Sequence, residues 1–294
     1  MTPTSPRQTR DRRFCQVDVF TATAYRGNPL AVVLDGSGLD DETMQRFARW
    51  THLSETTFLL PPTLPEADYR VRIFTPGGEL PFAGHPTLGS CHAWLEGGGA
   101  PRTDDVIVQE CQLGLVQIRR DAPRLAFAAP PVTRSTPVPA LVAQVVDALG
   151  LKAAQVIEAR MLDNGPVWMG LLLDQPDSVL RLAPNHRALE KLGYKVGVAA
   201  IYRSPPAGAA TPSPSLEVRA FAAPIGIDED PVTGSLNASL AQWLIADEHL
   251  PTAYIAAQGT CLDRAGRVHI ACDSSGQVWV GGESVSCIRG KVSL

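Results

Sequence analysis

The pattern of hydrophobic and polar positions along the chain predicts many short strands and fewer helices. Alternating or continuous apolar positions predict strands over 14–20, 30–34, 57–60, 69–74, 106–110, 114–119, 167–173, 196–202, 216–221, 268–271, 278–280 and 284–289. Apolar residues at helical spacing predict helices from about 41 to 51, 87 to 95, 140 to 148, 185 to 192 and 235 to 245. Because strands outnumber helices and follow one another in runs, the pattern favours an α+β fold with curved, mostly antiparallel sheets.

One segment of the chain recurs about half a chain later. A strand at 72–74, a loop, and a helix that begins near Gly84 recur as a strand at 219–221, a loop, and a helix that begins near Gly234. The first residues of the two strands, both arginines, are 147 positions apart, and the two glycines are 150 positions apart. Two copies at this distance indicate a duplicated domain and not a solenoid.

A proline-rich stretch at 128–139 is the predicted boundary between the two copies, because it holds four prolines and several small residues. We therefore expect an N-terminal lobe made of 14–129 plus about 281–294, and a C-terminal lobe made of 130–280. The segment 205–214, rich in proline, alanine and serine, is predicted to be an exposed loop.

The two repeated helix starts have the features of an anion site. Glycine lets the backbone approach a ligand closely, and the free N–H groups in the first turn of a helix favour negative charge. If Gly84 and Gly234 face each other, they form a cleft for a small carboxylate. The alternative interpretation is that both are structural turns followed by capped helices.

Three side chains on or near these helix starts can move protons. Glu55 precedes an apolar strand, and a carboxyl group that faces a dry pocket has a raised pKa suited to proton transfer. His85 follows Gly84 at a helix N-terminus, where a histidine tends to stay neutral. Asp230 precedes the second helix, although the helix dipole favours an acid there in any case. Ser235 is a helix cap or a hydrogen-bonding partner for substrate.

Composition and charge exclude several classes of partner. The net charge is −4 and no basic stripe is interleaved with aromatic residues, so no nucleic-acid partner is expected. No apolar run approaches the roughly 18 residues of a membrane span. The first thirteen residues are polar and basic without an apolar core, which predicts a frayed tail, no secretory signal and a cytoplasmic protein.

The sequence gives no positive support for a cofactor. The six cysteines form no CxxC pair and have no zinc-type spacing with histidine, so we expect them to be mostly reduced and buried, with no metal site. The nucleotide motifs GxGxxG and GxxxxGK[ST], the zinc motif HExxH and the nucleophile motif GxSxG do not occur.

An ordered set of short motifs resembles the PhzF-like isomerase family of phenazine biosynthesis. The matching segments are Gly27-Asn28-Pro29, 53–56, 72–89 with Ala83-Gly84-His85-Pro86 at its centre, 164–166, 229–235 and Gln258-Gly259. Each segment alone is a weak signal, but the ordered set runs from residue 14 to the C-terminus and is specific. The resemblance implies the fold of diaminopimelate epimerase, with two similar lobes that each wrap a curved sheet around a central helix. It also implies a homodimer.

The resemblance further implies roles for individual residues and a small-molecule acid as substrate. In that family a glutamate moves a proton between two carbons of trans-2,3-dihydro-3-hydroxyanthranilate without a cofactor. Carried over, Glu55 is the proton shuttle, and His85 and Asp230 polarise the substrate or relay protons. The residues expected to bind the substrate are Asn28, Gly84, Gly234 and Ser235.

Two other functions remain open. An amino-acid racemase or epimerase on this scaffold uses one thiol at each helix tip, but the matching positions here are Ala83 and Asp230, and Cys91 lies about two turns into the first helix. A non-catalytic metabolite-binding protein would leave Glu55 dispensable or turned away from the cleft.

Overall fold

The computed structural model describes residues 9–204 and 212–294, so the basic segment 1–8 and most of the loop expected at 205–214 lie outside the described residues. Within these ranges the helices are α1 (Asp41–Thr51), α2 (Gly84–Glu96), α3 (Pro139–Ala148), α4 (Pro176–Leu180), α5 (His186–Leu192) and α6 (Gly234–Ala246). The strands are β1 (Asp11–Val19), β2 (Asn28–Val33), β3 (Thr56–Leu60), β4 (Tyr69–Thr75), β5 (Gly78–Leu80), β6 (Val106–Cys111), β7 (Gly114–Asp121), β8 (Arg124–Ala128), β9 (Thr133–Ser135), β10 (Val156–Asp163), β11 (Val167–Leu173), β12 (Lys195–Ile201), β13 (Leu216–Ala222), β14 (Ile227–Asp230), β15 (Ala253–Gln258), β16 (Gly266–Cys272), β17 (Val278–Gly282) and β18 (Ser284–Ser293).

The strands form two half-sheets with the same internal order. One half runs β18-β1-β2-β3-β4-β6-β7-β8, and the other runs β9-β10-β11-β12-β13-β15-β16-β17. Each half has two parallel contacts at matching places, β2–β3 and β4–β6 in one and β11–β12 and β13–β15 in the other. The halves join through an antiparallel β8–β17 pair. The expected α+β fold of two similar, mostly antiparallel halves is therefore what the chain adopts.

The strand pairing supports the division into lobes that the proline-rich boundary suggested. Strand β18 returns to pair with β1, and β9 pairs with β10. We propose that the N-terminal lobe comprises 14–129 with about 281–294, and that the C-terminal lobe comprises 130–280.

The structure differs from the sequence predictions in the start of one helix, in a strand that was not predicted, and in the burial of the cysteines. Helix α2 begins at Gly84 and not near residue 87, because Ala83 O already accepts a hydrogen bond from Thr87 N. Strand β10 was not predicted, because its side chains lack the regular burial alternation of a half-buried strand. The six cysteines are free, as expected, but only Cys15, Cys91 and Cys111 are buried, so the prediction that most of them are buried was wrong.

Each half-sheet wraps around one buried helix, α2 in the N-terminal half and α6 in the C-terminal half. Along α6 the side chains from Leu236 to Ala241 are all buried, so the helix has no solvent-facing stripe in that stretch. Helix α2 is similar, with Leu88 to Cys91 buried. Burial on all sides fixes the axis of each helix, and therefore the position of its N-terminal end.

The repeated arginine marks a repeated ion pair. Arg72 Nη2 lies 2.6 Å from Glu79 Oε2, and Arg219 Nη2 lies 2.7 Å from Glu229 Oε2. In both copies the guanidinium carbon also lies over the ring of the phenylalanine two residues further on, at 5.0 and 5.1 Å from the ring centroid. The pairs tie strands β4 and β13 to the short strands β5 and β14, which precede α2 and α6.

Side chains at alternate positions of β3 and β12 point towards the central helices. Thr57 on β3 accepts a hydrogen bond from Ser90 of α2 at 2.9 Å. On β12, a side chain added at Gly197 would collide with Leu236 of α6. Because successive side chains on a strand alternate between faces, the residues two positions earlier share these inner faces. They are Glu55, directly before β3, and Lys195, the first residue of β12.

Candidate active site

Helices α2 and α6 meet at their N-terminal ends. A Cβ atom added to Gly234 would lie 3.0 Å from Gly84 Cα, and one added to Gly84 would lie 3.1 Å from Gly234 Cα. The side chain of neither cap residue, Ala83 or Thr233, accepts a hydrogen bond from the first turn of its helix. Two positively polarised backbone ends therefore face one another, as the repeat suggested, and only glycine allows this approach.

Glu55 and His85 lie together on the α2 side of this junction. Glu55 Oε2 is 3.3 Å from His85 Nε2, yet the alignment is not that of a hydrogen bond, and neither atom has another partner among the described residues. Burial, reinforced by the charge of Asp230 and opposed by Lys195, raises the pKa of Glu55 to about 8. Burial lowers the pKa of His85 to about 3, so the imidazole is neutral near pH 7.

Asp230 lies in a network that joins the two halves. Asn28 Nδ2 donates to Asp230 Oδ1 at 2.9 Å and to Val232 O at 2.8 Å, and Thr233 Oγ1 donates to Asp230 Oδ2 at 2.5 Å. Burial raises the pKa of Asp230 to about 6, although these two side-chain hydrogen bonds and Lys195 oppose the shift. Asn28 Nδ2 also lies 3.5 Å from His85 Nδ1, so one amide reaches both tips.

Gln258 holds the turn that carries Asp230. Its Oε1 accepts from Thr233 N at 3.0 Å and from Asn237 Nδ2 at 2.8 Å, while its Nε2 donates to Asp230 O at 3.0 Å. The side chain is 1% exposed. Gln258 therefore fixes the backbone just before α6, which gives a structural reason for its place in the motif set.

Ser235 belongs to the same tip but has different neighbours. Its Oγ accepts from Trp168 Nε1 at 3.1 Å, and its backbone oxygen accepts from Asn164 Nδ2 at 3.0 Å. It makes no hydrogen bond to Glu55, His85 or Asp230. The junction thus has two polar sides, one around Glu55 and His85 and one around Ser235 and Trp168.

Four buried side-chain atoms around the junction have no hydrogen-bond partner among the described residues. They are Asn28 Oδ1, Glu55 Oε2, His85 Nε2 and Asn164 Oδ1. An unsatisfied buried polar group costs about 1–3 kcal/mol, so several in one place indicate a site built to receive a polar ligand.

The sequence predictions placed Asn28, Glu55, Gly84, His85, Asp230, Gly234 and Ser235 in one site, and the structure brings them to this junction. No thiol lies at either tip. Cys91 is fully buried in α2, and burial raises its pKa to about 12, so it remains a thiol. Among residues 9–204 and 212–294, no group of three or more histidine, cysteine, aspartate or glutamate side chains could hold a metal ion. None of the helices in these ranges has the length and apolar character needed to cross a bilayer.

Sequence reasoning missed Lys195 and Trp168. Lys195 interacts electrostatically with Glu55 and Asp230, and its Nζ lies 5.1 Å from the Trp168 ring centroid. The available signal was the repeat itself, but the offset of the arginines pairs Glu55 with Tyr202. Counted between paired residues, the chain from β12 to β13 is seven residues longer than the chain from β3 to β4. Lys195 therefore lies only 140 positions after Glu55.

The raised pKa of Glu55 predicts a pH-dependent stability that Glu55→Gln removes. Between the ordinary pKa of 4.5 and the folded value of about 8, the folded protein keeps a proton that the unfolded chain releases, so stability falls as pH rises. We expect Glu55→Gln to gain stability over wild type, on going from about pH 5 to about pH 9, by roughly 2 kcal/mol or more. Urea unfolding of both proteins at the two pH values measures this gain. Parallel pH profiles would contradict the assigned burial of the carboxyl group.

Comparison with known proteins agrees with the motif set. A family model described as phenazine biosynthesis-like protein matches residues 17–290. The chain is 35% identical to Antisense-enhancing sequence 1 of Schizosaccharomyces pombe, over 96% of this chain and 98% of that protein. It is 32% identical to trans-2,3-dihydro-3-hydroxyanthranilate isomerase of Pseudomonas aeruginosa, over 96% of this chain and 99% of that protein.

Solved structures share the fold. A PhzF-family phenazine biosynthesis protein from Bacillus anthracis superposes with a TM-score of 0.83 at 22% identity, covering 97% of this chain and 100% of that chain. The expected resemblance and the expected two-lobed fold of diaminopimelate epimerase type are both confirmed.

Proposed function

Because the chain belongs to the phenazine biosynthesis-like family, we propose that it is a cofactor-independent isomerase that moves a proton on a small carboxylic or amino acid resembling trans-2,3-dihydro-3-hydroxyanthranilate. The observation that carries the proposal is the buried Glu55 carboxyl group, with its pKa raised to about 8, beside a neutral His85 at the junction of two helix N-termini. A related enzyme from Pseudomonas aeruginosa bears the name of that isomerase.

Glu55 would act as base and then as acid. Its carboxylate takes a proton from one carbon of the substrate and becomes a neutral carboxylic acid, the form that burial favours. It then returns the proton to a different carbon, so the enzyme ends as it began and no other reactant is consumed. A pKa close to the working pH suits a group that must both accept and release a proton.

The helix ends would stabilise the electron-rich intermediate. Removal of a proton leaves negative charge spread over the substrate, and the N–H groups in the first turns of α2 and α6, which no cap side chain satisfies, would be fixed donors to it. Neutral His85 donates or accepts a hydrogen bond there without adding charge. Asp230, held by Asn28 and Thr233, would bind the amino group of the substrate or relay a proton.

The proposal extends to the setting in which the enzyme works. All six cysteines are free, which supports a cytoplasmic location. A homodimer is proposed on the family pattern alone, and sedimentation equilibrium of the purified protein tests it. The partner in catalysis is a small-molecule acid.

Proton exchange in D₂O tests the function and separates the alternatives. Wild-type protein is incubated with trans-2,3-dihydro-3-hydroxyanthranilate and, separately, with a panel of small L- and D-amino acids, and the ring and α-proton signals are followed by NMR. We expect exchange and migration of a ring proton. Exchange only at the α-carbon of an amino acid, with inversion, would instead support the racemase. Saturable binding without exchange of any proton would support a metabolite-binding protein.

A further inference from the structure

Lys195 occupies the position in the second lobe that Glu55 occupies in the first. The residue after Glu55 pairs with Phe74, and the residue after Lys195 pairs with Phe221. Phe74 and Phe221 are equivalent members of the repeat. Strand β3 also pairs in parallel with β2, and β12 pairs in parallel with β11. The internal two-fold relation therefore exchanges a carboxyl group for an ammonium group.

Glu55 and Lys195 both lie on the inner faces of their half-sheets, which pack against α2 and α6. Glu55 shares a strand face with Thr57, which contacts α2, and Lys195 shares a face with Gly197, which packs against α6. Both residues stand at the starts of their strands, beside the junction of the two helix ends. One lobe presents an acid to the junction and the other presents a cation.

Lys195 lacks a fixed anionic partner. Its side chain is half-buried and its Nζ lies 5.1 Å from the centroid of the Trp168 ring. Among the described residues no carboxylate oxygen lies within 4 Å of this ammonium group, although the charges of Glu55 and Asp230 act to raise its pKa. The N–H group of the Trp168 indole donates to Ser235 Oγ, in the first turn of α6.

We propose that Lys195 binds the carboxylate of the substrate, on the Trp168 and Ser235 side, and so places the reacting carbon against Glu55. This inference rests on the proposed function and deepens it, because it names a site for the anion apart from the helix backbone. An ammonium group held over an aromatic face and lacking a carboxylate partner gains a charge-assisted hydrogen bond when a carboxylate arrives. The substrate class is then a small acid with an ionised carboxylate and a transferable C–H proton.

Paired ligands test the inference. The probes are 2-aminobenzoate and its neutral amide, 2-aminobenzamide, which differ in charge but little in shape. Calorimetric titration of the full chain is expected to show a preference for the anion in wild type. In Lys195→Met we expect the affinity for 2-aminobenzoate to fall about tenfold or more while that for the amide is unchanged. Lys195→Arg should recover part of the preference, and Lys191→Met on the exposed end of α5 should keep all of it.

The outcomes separate this inference from the function it rests on. Anion preference that survives in Lys195→Met overturns the inference, as does equal loss of both ligands or no saturable binding of 2-aminobenzoate by wild type. A lost preference in Lys195→Met, together with wild type that exchanges no proton, keeps the inference and overturns the isomerase. If Lys195 acted only by tuning Glu55, Lys195→Met would change the pH profile of exchange and leave anion preference intact, which also counts against the inference.

Discussion

Glu55→Gln is expected to lower the rate of proton exchange on trans-2,3-dihydro-3-hydroxyanthranilate by about 10²–10⁴-fold, the range for removal of a general acid–base group. Glutamine keeps the size and hydrogen-bonding capacity of the side chain, but its amide cannot accept and return a proton. Because the buried carboxyl group is costly when ionised, the variant should fold at least as well as wild type near neutral pH. A loss of rate therefore reports chemistry and not unfolding. The measurement is the initial rate of deuterium incorporation by NMR.

A matched control accompanies this variant. Glu42 lies on the exposed face of α1, and within 9–204 and 212–294 its ion-pair partner is Arg46, one turn away. Glu42→Gln makes the same chemical change far from the junction and should leave the exchange rate as it is. If Glu55→Gln exchanges protons as fast as Glu42→Gln, Glu55 is not the shuttle.

Gly234→Ala should disrupt both stability and exchange. The new Cβ would lie 3.0 Å from Gly84 Cα and 3.3 Å from His85 N, and both contacts are backbone atoms that cannot rotate away. We expect a loss of about 1–3 kcal/mol in the free energy of unfolding, typical of overpacking. The helix tips must also separate, and a displacement of about 1 Å at a reacting centre can reduce the rate about 10²-fold. Urea unfolding and the exchange assay measure the two effects.

Gly290→Ala is the control for this variant. Gly290 lies on β18 with open space where a Cβ would be placed, so alanine should be accommodated without loss of stability or rate. Unchanged exchange in Gly234→Ala would show that the close approach of the two helix ends is not needed for the reaction.

The sequence predicted the parts of the site that local patterns and the repeat encode. Gly84 and Gly234 were found because, in both copies, a glycine stands at the start of a helix that follows a strand and a loop. Glu55 and Asp230 were assigned to one site through the resemblance, whereas their proximity depends on how the two lobes dock. That docking buries both carboxyl groups and raises their pKa values, which no local pattern reports.

Other features were hidden for identifiable physical reasons. Strand β10 is held by its neighbours β9 and β11 and not by its own hydrophobic pattern. Lys195 is displaced in the numbering by a longer connection in the second copy. Trp168 reads in the sequence as one apolar residue of a strand, and only the fold shows that its indole N–H reaches Ser235.

The return of β18 to β1 has a consequence for synthesis on the ribosome. Strand β1 lies between β2 and β18, yet β18 emerges only after all of the other half-sheet has been translated. Until then the nascent first lobe has an open backbone edge along β1, whereas the strands from β9 to β17 are already present together. The half of the molecule that is translated second can thus complete its sheet first, and the half that carries Glu55 closes last.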